Sequence, residues 1–232
     1  MKHYFSLLAR LNNFFYSLII LLLTSCASIS EQKVASSFTY AYDAVKNAVF
    51  GYPDLNITRE IVENIPYASA LLKIGKGTQG LVILETVENN NYAWVSKDNV
   101  FIVIKGGRII QTEGLVNNLT NFVTPDINFR EFIDNPTSLS NFFVYYSYDE
   151  PFLSNLKVEI SLIKKGYQEI EILGKTRNLL LIEEILSNEQ IRWKKKNLYW
   201  VDPSDFYVWK SIQHISPKLP PFVLQITKKP SI

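Results

Sequence analysis

Three groups of residues in this chain carry side chains able to do chemistry or hold a ligand. The first is Asp202-Pro203-Ser204-Asp205, with two carboxylates inside one four-residue stretch. Glycoside hydrolysis needs two carboxyl groups about 5–9.5 Å apart on opposite sides of a bond. Two acids in one tight turn do not supply that arrangement, and Asp202 is expected to cap the turn through its own backbone. Glu85, Asp98 and Glu113 add carboxylates, but no spacing pairs them. The second group is Lys194-Lys195-Lys196, flanked by Trp193 and Tyr199. A basic run among rings suits an anionic polymer or lipid headgroups. It equally suits a solvated hairpin end, and Glu183, Glu184 and Glu189 lie close enough in sequence to neutralise it. The third group is Trp94, Trp200 and Trp209 with Arg108 and Arg192. An exposed indole could stack on a sugar ring while a guanidinium bonds its hydroxyl or acidic groups. Trp200 and Trp209 are spaced to meet across a hairpin, where aromatic pairs contribute about 0.2–1 kcal/mol. The resulting contact set is Trp94, Arg108, Trp193, Lys194, Lys195, Lys196, Trp200 and Trp209.

Other chemistries fail on spacing or inventory. Gly75-Lys76-Gly77-Thr78-Gln79-Gly80 lacks the Gly-four-spacers-Gly-Lys pattern of a phosphate loop, and the following Leu81-Val82-Ile83-Leu84 reads as strand rather than helix. The chain has two histidines, His3 and His214, and one cysteine. His3 lies in the leader and the cysteine would be consumed by lipid, so only His214 is left and a Cys-His nucleophile pair or a Cys/His zinc cluster is excluded. His214 has no evident partner and reads as structural. No cofactor, metal or catalytic residue is indicated, and the chain reads as a non-enzyme.

The one cysteine has a specific context. Lys2 and Arg10 give a positive leader, Phe14 to Leu23 is an apolar run, and Leu23-Thr24-Ser25-Cys26-Ala27-Ser28 follows. The run is shorter than the roughly 20 residues of a membrane span and fits an export-signal core of about 7–15. It resembles a bacterial lipobox. Residues 1–25 are then a cleaved signal peptide, Cys26 is acylated, and residues 26–33 form a tether. Each buried methylene contributes about 0.8 kcal/mol, so two or more chains hold a protein stably on a membrane. By similarity to sorted lipoproteins, Ala27 in place of Asp favours the outer membrane.

Losing Lys2 and Arg10 takes the 24 basic residues to 22, equal to the 22 acidic ones. A near-neutral body gives no general electrostatic case for nucleic acid. About 207 mature residues are enough for a sizeable core, in one domain or two. The 13 Tyr, 14 Phe and 4 Trp fit pleated strand surfaces.

Helical spacing of Phe38, Ala41, Tyr42, Val45 and Val49 predicts an amphipathic helix over Val34–Val49, ended by Gly51 and Pro53. Ile57–Ile61 reads as a short strand or a turn of helix. Strands are then expected over Ser69–Ile74, Leu81–Val87, Tyr92–Ser96, Val100–Ile104 and Arg108–Thr112. Glu88-Asn89-Asn90-Asn91 and Gly106-Gly107 supply their turns. Gly114–Asn121 reads as loop or short helix, and Asp134–Ser140 as connection. Further strands are expected over Phe142–Tyr148, Val158–Lys164, Gln168–Leu173, Asn197–Val201, Phe206–His214 and Phe222–Thr227. Leu179–Leu186 fits helix or strand, and Gln190–Lys194 reads as its partner segment, ahead of Asn197–Val201. The fold expected for residues 34–232 is mainly β: an antiparallel barrel-like or sandwich-like body with an N-terminal amphipathic helix. It forms one body or two halves meeting near residues 145–155.

Several ordered motifs resemble the YjbF and GfcB lipoproteins. They are Ile65-Pro66-Tyr67-Ala68-Ser69, Gly75-Lys76-Gly77, Tyr92-Ala93-Trp94-Val95-Ser96, Gly106-Gly107-Arg108-Ile109 and Thr112-Glu113-Gly114-Leu115. Near the C-terminus, Tyr199-Trp200-Val201-Asp202-Pro203, Val208-Trp209-Lys210-Ser211 and Leu219-Pro220-Pro221 continue the likeness. The resemblance implies a β-rich exported lipoprotein linked to capsule or exopolysaccharide export or assembly. The implied partners are the membrane, proteins of the export system, and the polymer itself. A carbohydrate-modifying enzyme of the periplasm and a structural lipoprotein of an outer-membrane complex are the competing readings.

Overall fold

The computed structural model describes residues 52–125, 128–135 and 141–231. The leader, Cys26, the tether and the helix expected over Val34–Val49 lie outside the described residues. Twelve strands follow one another: β1 (Ser69–Ile74), β2 (Gly80–Glu88), β3 (Asn91–Ser96), β4 (Phe101–Lys105), β5 (Arg108–Glu113) and β6 (Leu119–Val123), then β7 (Asn141–Tyr148), β8 (Leu153–Ile172), β9 (Lys175–Asn188), β10 (Trp193–Val201), β11 (Val208–Gln213) and β12 (Phe222–Lys228). Two six-residue helices accompany them, α1 (Arg59–Asn64) before β1 and α2 (Phe129–Asp134) between β6 and β7.

The strands form one antiparallel sheet in the order β5-β4-β3-β2-β1-β12-β11-β10-β9-β8-β7-β6. Every strand lies beside its neighbour in sequence, and β1 pairs with β12 from Ser69↔Lys228 to Ile74↔Phe222. The two edges, β5 and β6, are also consecutive. At that seam the Leu119 N–H donates to Thr112 Oγ1 at 2.9 Å. The result is a nearly closed up-and-down barrel, an architecture that leaves little unpaired edge. The sheet is continuous through the β7–β8 hairpin, across residues 145–155.

Alternation places one face of each strand inside. Along β7, Val144, Tyr146 and Tyr148 are buried while Phe143 and Tyr145 are exposed. Along β11, Trp209, Ser211 and Gln213 are buried. Trp94, Ile102, Ile160, Ile182, Tyr199 and Phe222 add to the core, and α2 inserts Phe129 and Phe132 into it. Full burial of one such side chain contributes about 1.5–3 kcal/mol.

Tight turns set the register. Asn89 and Asn90 have φ of 51° and 63° between the paired residues Glu88 and Asn91. Gly106 and Gly107 have φ of 54° and 83° between Lys105 and Arg108. Two successive positive-φ residues match the right-handed twist of a hairpin. A Cβ on Gly107 would stand 2.3 Å from Val208 Cγ2, so the β4–β5 turn packs against β11 only as glycine.

Ile57–Ile61 takes the helical and Leu179–Leu186 the strand one of their two readings, and the segmentation departs from expectation at three other places. Ile57–Ile61 contributes to α1, whose Thr58 side chain accepts the Ile61 N–H. Gly114–Asn121 holds the start of β6 rather than only a loop, and α2 precedes the connection expected after Asp134. Val158–Lys164 and Gln168–Leu173 are one strand, because Lys164 to Gly166 is a bulge within β8. The end of Gln190–Lys194 pairs with β9 as its partner, but it and Asn197–Val201 are one strand, since β10 starts at Trp193 after a Glu189–Arg192 turn. Leu179–Leu186 is strand. No helix among the described residues is long and apolar enough to cross a membrane.

Candidate functional site

A cavity of about 620 Å³ lies inside the barrel, at the end that carries the β2–β3, β4–β5 and β10–β11 turns. Its rim includes Asn90, Lys105, Gly106, Gly107 and Asp205, and its walls include Tyr92, Trp94, Ile104, Tyr207, Trp209, Leu224 and Ile226. The size falls within the roughly 300–1,000 Å³ typical of small-molecule sites.

Behind the cavity the interior is polar. Arg108 Nε donates to Glu184 Oε2 at 2.9 Å, and a second guanidinium nitrogen lies 2.8 Å from the same oxygen. The other Glu184 oxygen accepts from Asn197 Nδ2 and from the Tyr199 hydroxyl, each at 3.0 Å. Gln213 Oε1 accepts the Ile109 N–H at 2.9 Å, and its amide nitrogen donates to Gly107 O at 2.9 Å and Ser211 Oγ at 2.8 Å. The Arg108 guanidinium also lies over the Phe129 ring, 4.5 Å from its centroid. Burial opposes the charge on Arg108, but Glu184 together with Tyr199 and Tyr146 outweighs it and raises the Arg108 pKa. Burial, reinforced by the Glu184 charge, pushes Tyr199 and Tyr146 well above the ordinary phenol range. This cluster ties β5 to β9, β10 and β11 and presents no exposed nucleophile.

The structure divides the contact set read from the sequence. Trp94, Arg108 and Trp209 border the cavity, and Trp193, Lys194, Lys195, Lys196 and Trp200 do not. All four indoles are buried, at 1% for Trp94, 5% for Trp193, 6% for Trp200 and 8% for Trp209, so none is the exposed platform expected. Each has been claimed by the core. Trp193 packs on Tyr146, Trp200 Nε1 donates to Gln168 at 2.8 Å, and the Arg177 guanidinium covers Trp209 at 3.4 Å. Trp200 pairs with Lys210, which places it on the face opposite Trp209. The rings left partly exposed in the cavity are Tyr92, Phe122, Phe206 and Tyr207.

Lys194, Lys195 and Lys196 are exposed at the start of β10, towards the opposite end of the barrel from the cavity rim. Lys196 pairs with Glu183 at 2.9 Å, as neutralisation requires. Glu184 does not join in, because its side chain points inward to Arg108. Asp202 Oδ1 accepts the Ser204 N–H at 3.0 Å, the turn cap expected of it. Asp205 accepts the Tyr207 N–H at 3.0 Å and pairs with Lys229. Asn197 and Gln213 were not singled out from sequence, and Glu184 was read only as a neighbour able to neutralise the lysine run. The available signal was Glu184 itself, a carboxylate within the apolar run Leu179–Leu186. No group of three or more metal-ligating side chains occurs among the described residues.

Comparison with known proteins agrees with the barrel and its motifs. Residues 42–227 match the family model described as group 4 capsule polysaccharide lipoprotein gfcB, YjbF. The chain is 26% identical to the uncharacterized lipoprotein YjbF of Escherichia coli (strain K12), over 85% of this chain and 89% of that protein. It is 22% identical to the uncharacterized lipoprotein GfcB of the same strain, over 91% and 96% of the two chains. The crystal structure of the hypothetical lipoprotein YmcC from Escherichia coli (K12) has the same fold, with a TM-score of 0.66 and 18% identity over 88% of this chain and all of that one. The chain is therefore an envelope lipoprotein belonging to the YjbF/GfcB family of group 4 capsule polysaccharide lipoproteins.

Proposed function

We propose that the protein is a non-enzymatic lipoprotein that assists capsule or exopolysaccharide export or assembly. Acyl chains on Cys26 hold it to the outer membrane, facing the periplasm. Its partners are the membrane, envelope proteins of the export system, and the polymer. The observation that carries this reading is the family match across residues 42–227, nearly the whole barrel.

The geometry is consistent with a binding body carried on a membrane. The Tyr52 N–H donates to Lys76 O at 3.0 Å, so the chain enters beside the β1–β2 turn. In an up-and-down barrel that turn lies at the end opposite the β2–β3, β4–β5 and β10–β11 turns. The cavity rim is thus at the end away from the chain's point of entry. A carbohydrate-modifying enzyme is less well supported. Among the described residues lining the cavity, Asp205 is the single carboxylate, and it is already paired.

The test is affinity capture of the acylated protein from detergent-solubilised membranes of cells making surface polysaccharide. Mass spectrometry identifies what is retained and reads the mature N-terminus. The expected result is recovery of polysaccharide-export proteins and an acylated Cys26 at the first position. Reproducible absence of those proteins with the anchor intact contradicts the role.

A further inference from the structure

The cavity has a composition that selects among ligands. Its half-buried rings, Tyr92 and Tyr207, stand beside a rim that includes Lys105 and Asn90, and Lys229 Nζ covers one face of Tyr207, 4.5 Å from its centroid. Lys105 has no carboxylate partner among the ion pairs of the described residues, whereas Lys210 points to the other face, over the Trp200 ring. Glu184 balances the Arg108 charge, and Lys229 balances the Asp205 charge. The field in the cavity is therefore positive, and a concave low-dielectric wall concentrates it.

An alkyl chain would fill the apolar wall but strand the rim's polar groups, which is costly once they are desolvated. A small inorganic anion would meet the lysine and leave the rings unused. A sugar ring presents an apolar CH face to Tyr92 and Tyr207 and hydroxyls to the amides. A carboxylate on that sugar reaches a charge-assisted bond with an ammonium.

We propose that the cavity binds a short acidic saccharide segment, stacked on Tyr92 and Tyr207 with its carboxylate on Lys105. The proposal rests on the polysaccharide role given above and specifies the site and the ligand class. Trp94 and Trp209 act as the wall behind these tyrosines rather than as stacking surfaces.

The test uses the full acylated protein in detergent micelles and isothermal titration. The probes are oligosaccharides released from the cell's own surface polymer, with trigalacturonate and maltotriose as acidic and neutral references. Acidic oligosaccharides are expected to bind, maltotriose at least tenfold more weakly, and binding should weaken as salt rises. Lys105→Ala is expected to reduce acidic binding about tenfold, the scale of one lost charge-assisted bond. Lys105 is exposed at the end of β4, beside the turn, so this variant should keep its thermal midpoint. Tyr92→Leu serves as a second variant, lowering affinity for acidic and neutral sugars alike. Absence of binding by every oligosaccharide overturns the proposal, as does unchanged affinity in Lys105→Ala. If affinity capture still recovers export proteins, that failure rejects the cavity assignment alone.

Discussion

Arg108 on β5 and Glu184 on β9 form an ion pair across the inside of the barrel, with Arg108 Nε 2.9 Å from Glu184 Oε2. Both side chains are almost fully buried. The two strands are not neighbours in the sheet, so this pair fastens one wall to another rather than reinforcing a ladder. Asn197 and Tyr199 complete the satisfaction of Glu184. Removing one partner of such a pair leaves a buried charge alone and costs about 3–5 kcal/mol. Arg108→Met and Glu184→Leu are each expected to destabilise the barrel by that amount in urea unfolding. The double variant is expected to lose less than the sum. Additive losses would show that the pair does not act as a unit.

The β4–β5 turn makes a second, steric prediction. Gly107 has φ of 83°, and a Cβ there would meet Val208. Gly107→Ala is expected to lower stability by more than the roughly 1–2 kcal/mol of left-handed strain alone. Adding Val208→Ala should recover the steric part and leave the strain. A double-mutant cycle of unfolding free energies measures the coupling, and a coupling of zero contradicts the close approach.

Closure of the barrel depends on a side chain, because β5 and β6 meet through Thr112 Oγ1 and the Leu119 N–H. Leu119 is fully buried. Thr112→Val is expected to leave that donor unpaired, at a cost of about 1–3 kcal/mol. Hydrogen exchange at the Leu119 amide should accelerate, while Thr112→Ser preserves protection. Equal protection in both variants would place the closure elsewhere.

His214 supplies a pH prediction. Burial lowers its pKa below 6.5, nearby Lys195 lowers it further, and a backbone hydrogen bond at Lys196 opposes the shift. The unfolded chain therefore takes the proton before the folded one. Well above pH 6.5 the histidine has no effect on stability. As pH falls through 6.5 stability declines, and the decline levels off below the folded-state pKa. An NMR titration should place the His214 midpoint below 6.5, and His214→Gln should flatten this part of the stability profile. A midpoint at or above 6.5 reverses the sign and contradicts the burial argument.

The sheet was legible where local chemistry is unambiguous. The β2–β5 meander follows from branched and aromatic runs separated by Asn89-Asn90 and Gly106-Gly107, residues suited to positive φ. Three elements were harder for physical reasons. In β6 the first residue, Leu119, is buried, and the polar Thr120 and Asn121 after it face out, so alternation is too short to register. Gly166 punctuates like a turn yet has φ of 126° within a continuous β8, where a bulge absorbs it. In β10 Lys194 to Lys196 interrupts the apolar pattern, although all three residues pair with β9. The candidate site was less legible still. Indoles that suit a sugar platform also suit a core, and only the fold decides which side they face. Arg108, Glu184, Asn197 and Gln213 are brought together by closure of the barrel, which no local spacing encodes.

The proposed role of this barrel lipoprotein is to assist capsule or exopolysaccharide export or assembly. The most direct measurement is the amount of surface polysaccharide in cells lacking the gene, under conditions where the wild type expresses it. Surface polymer is expected to fall and to return when the acylated protein is restored from a plasmid. Unchanged surface polymer and unchanged export in the deletion strain would contradict the account.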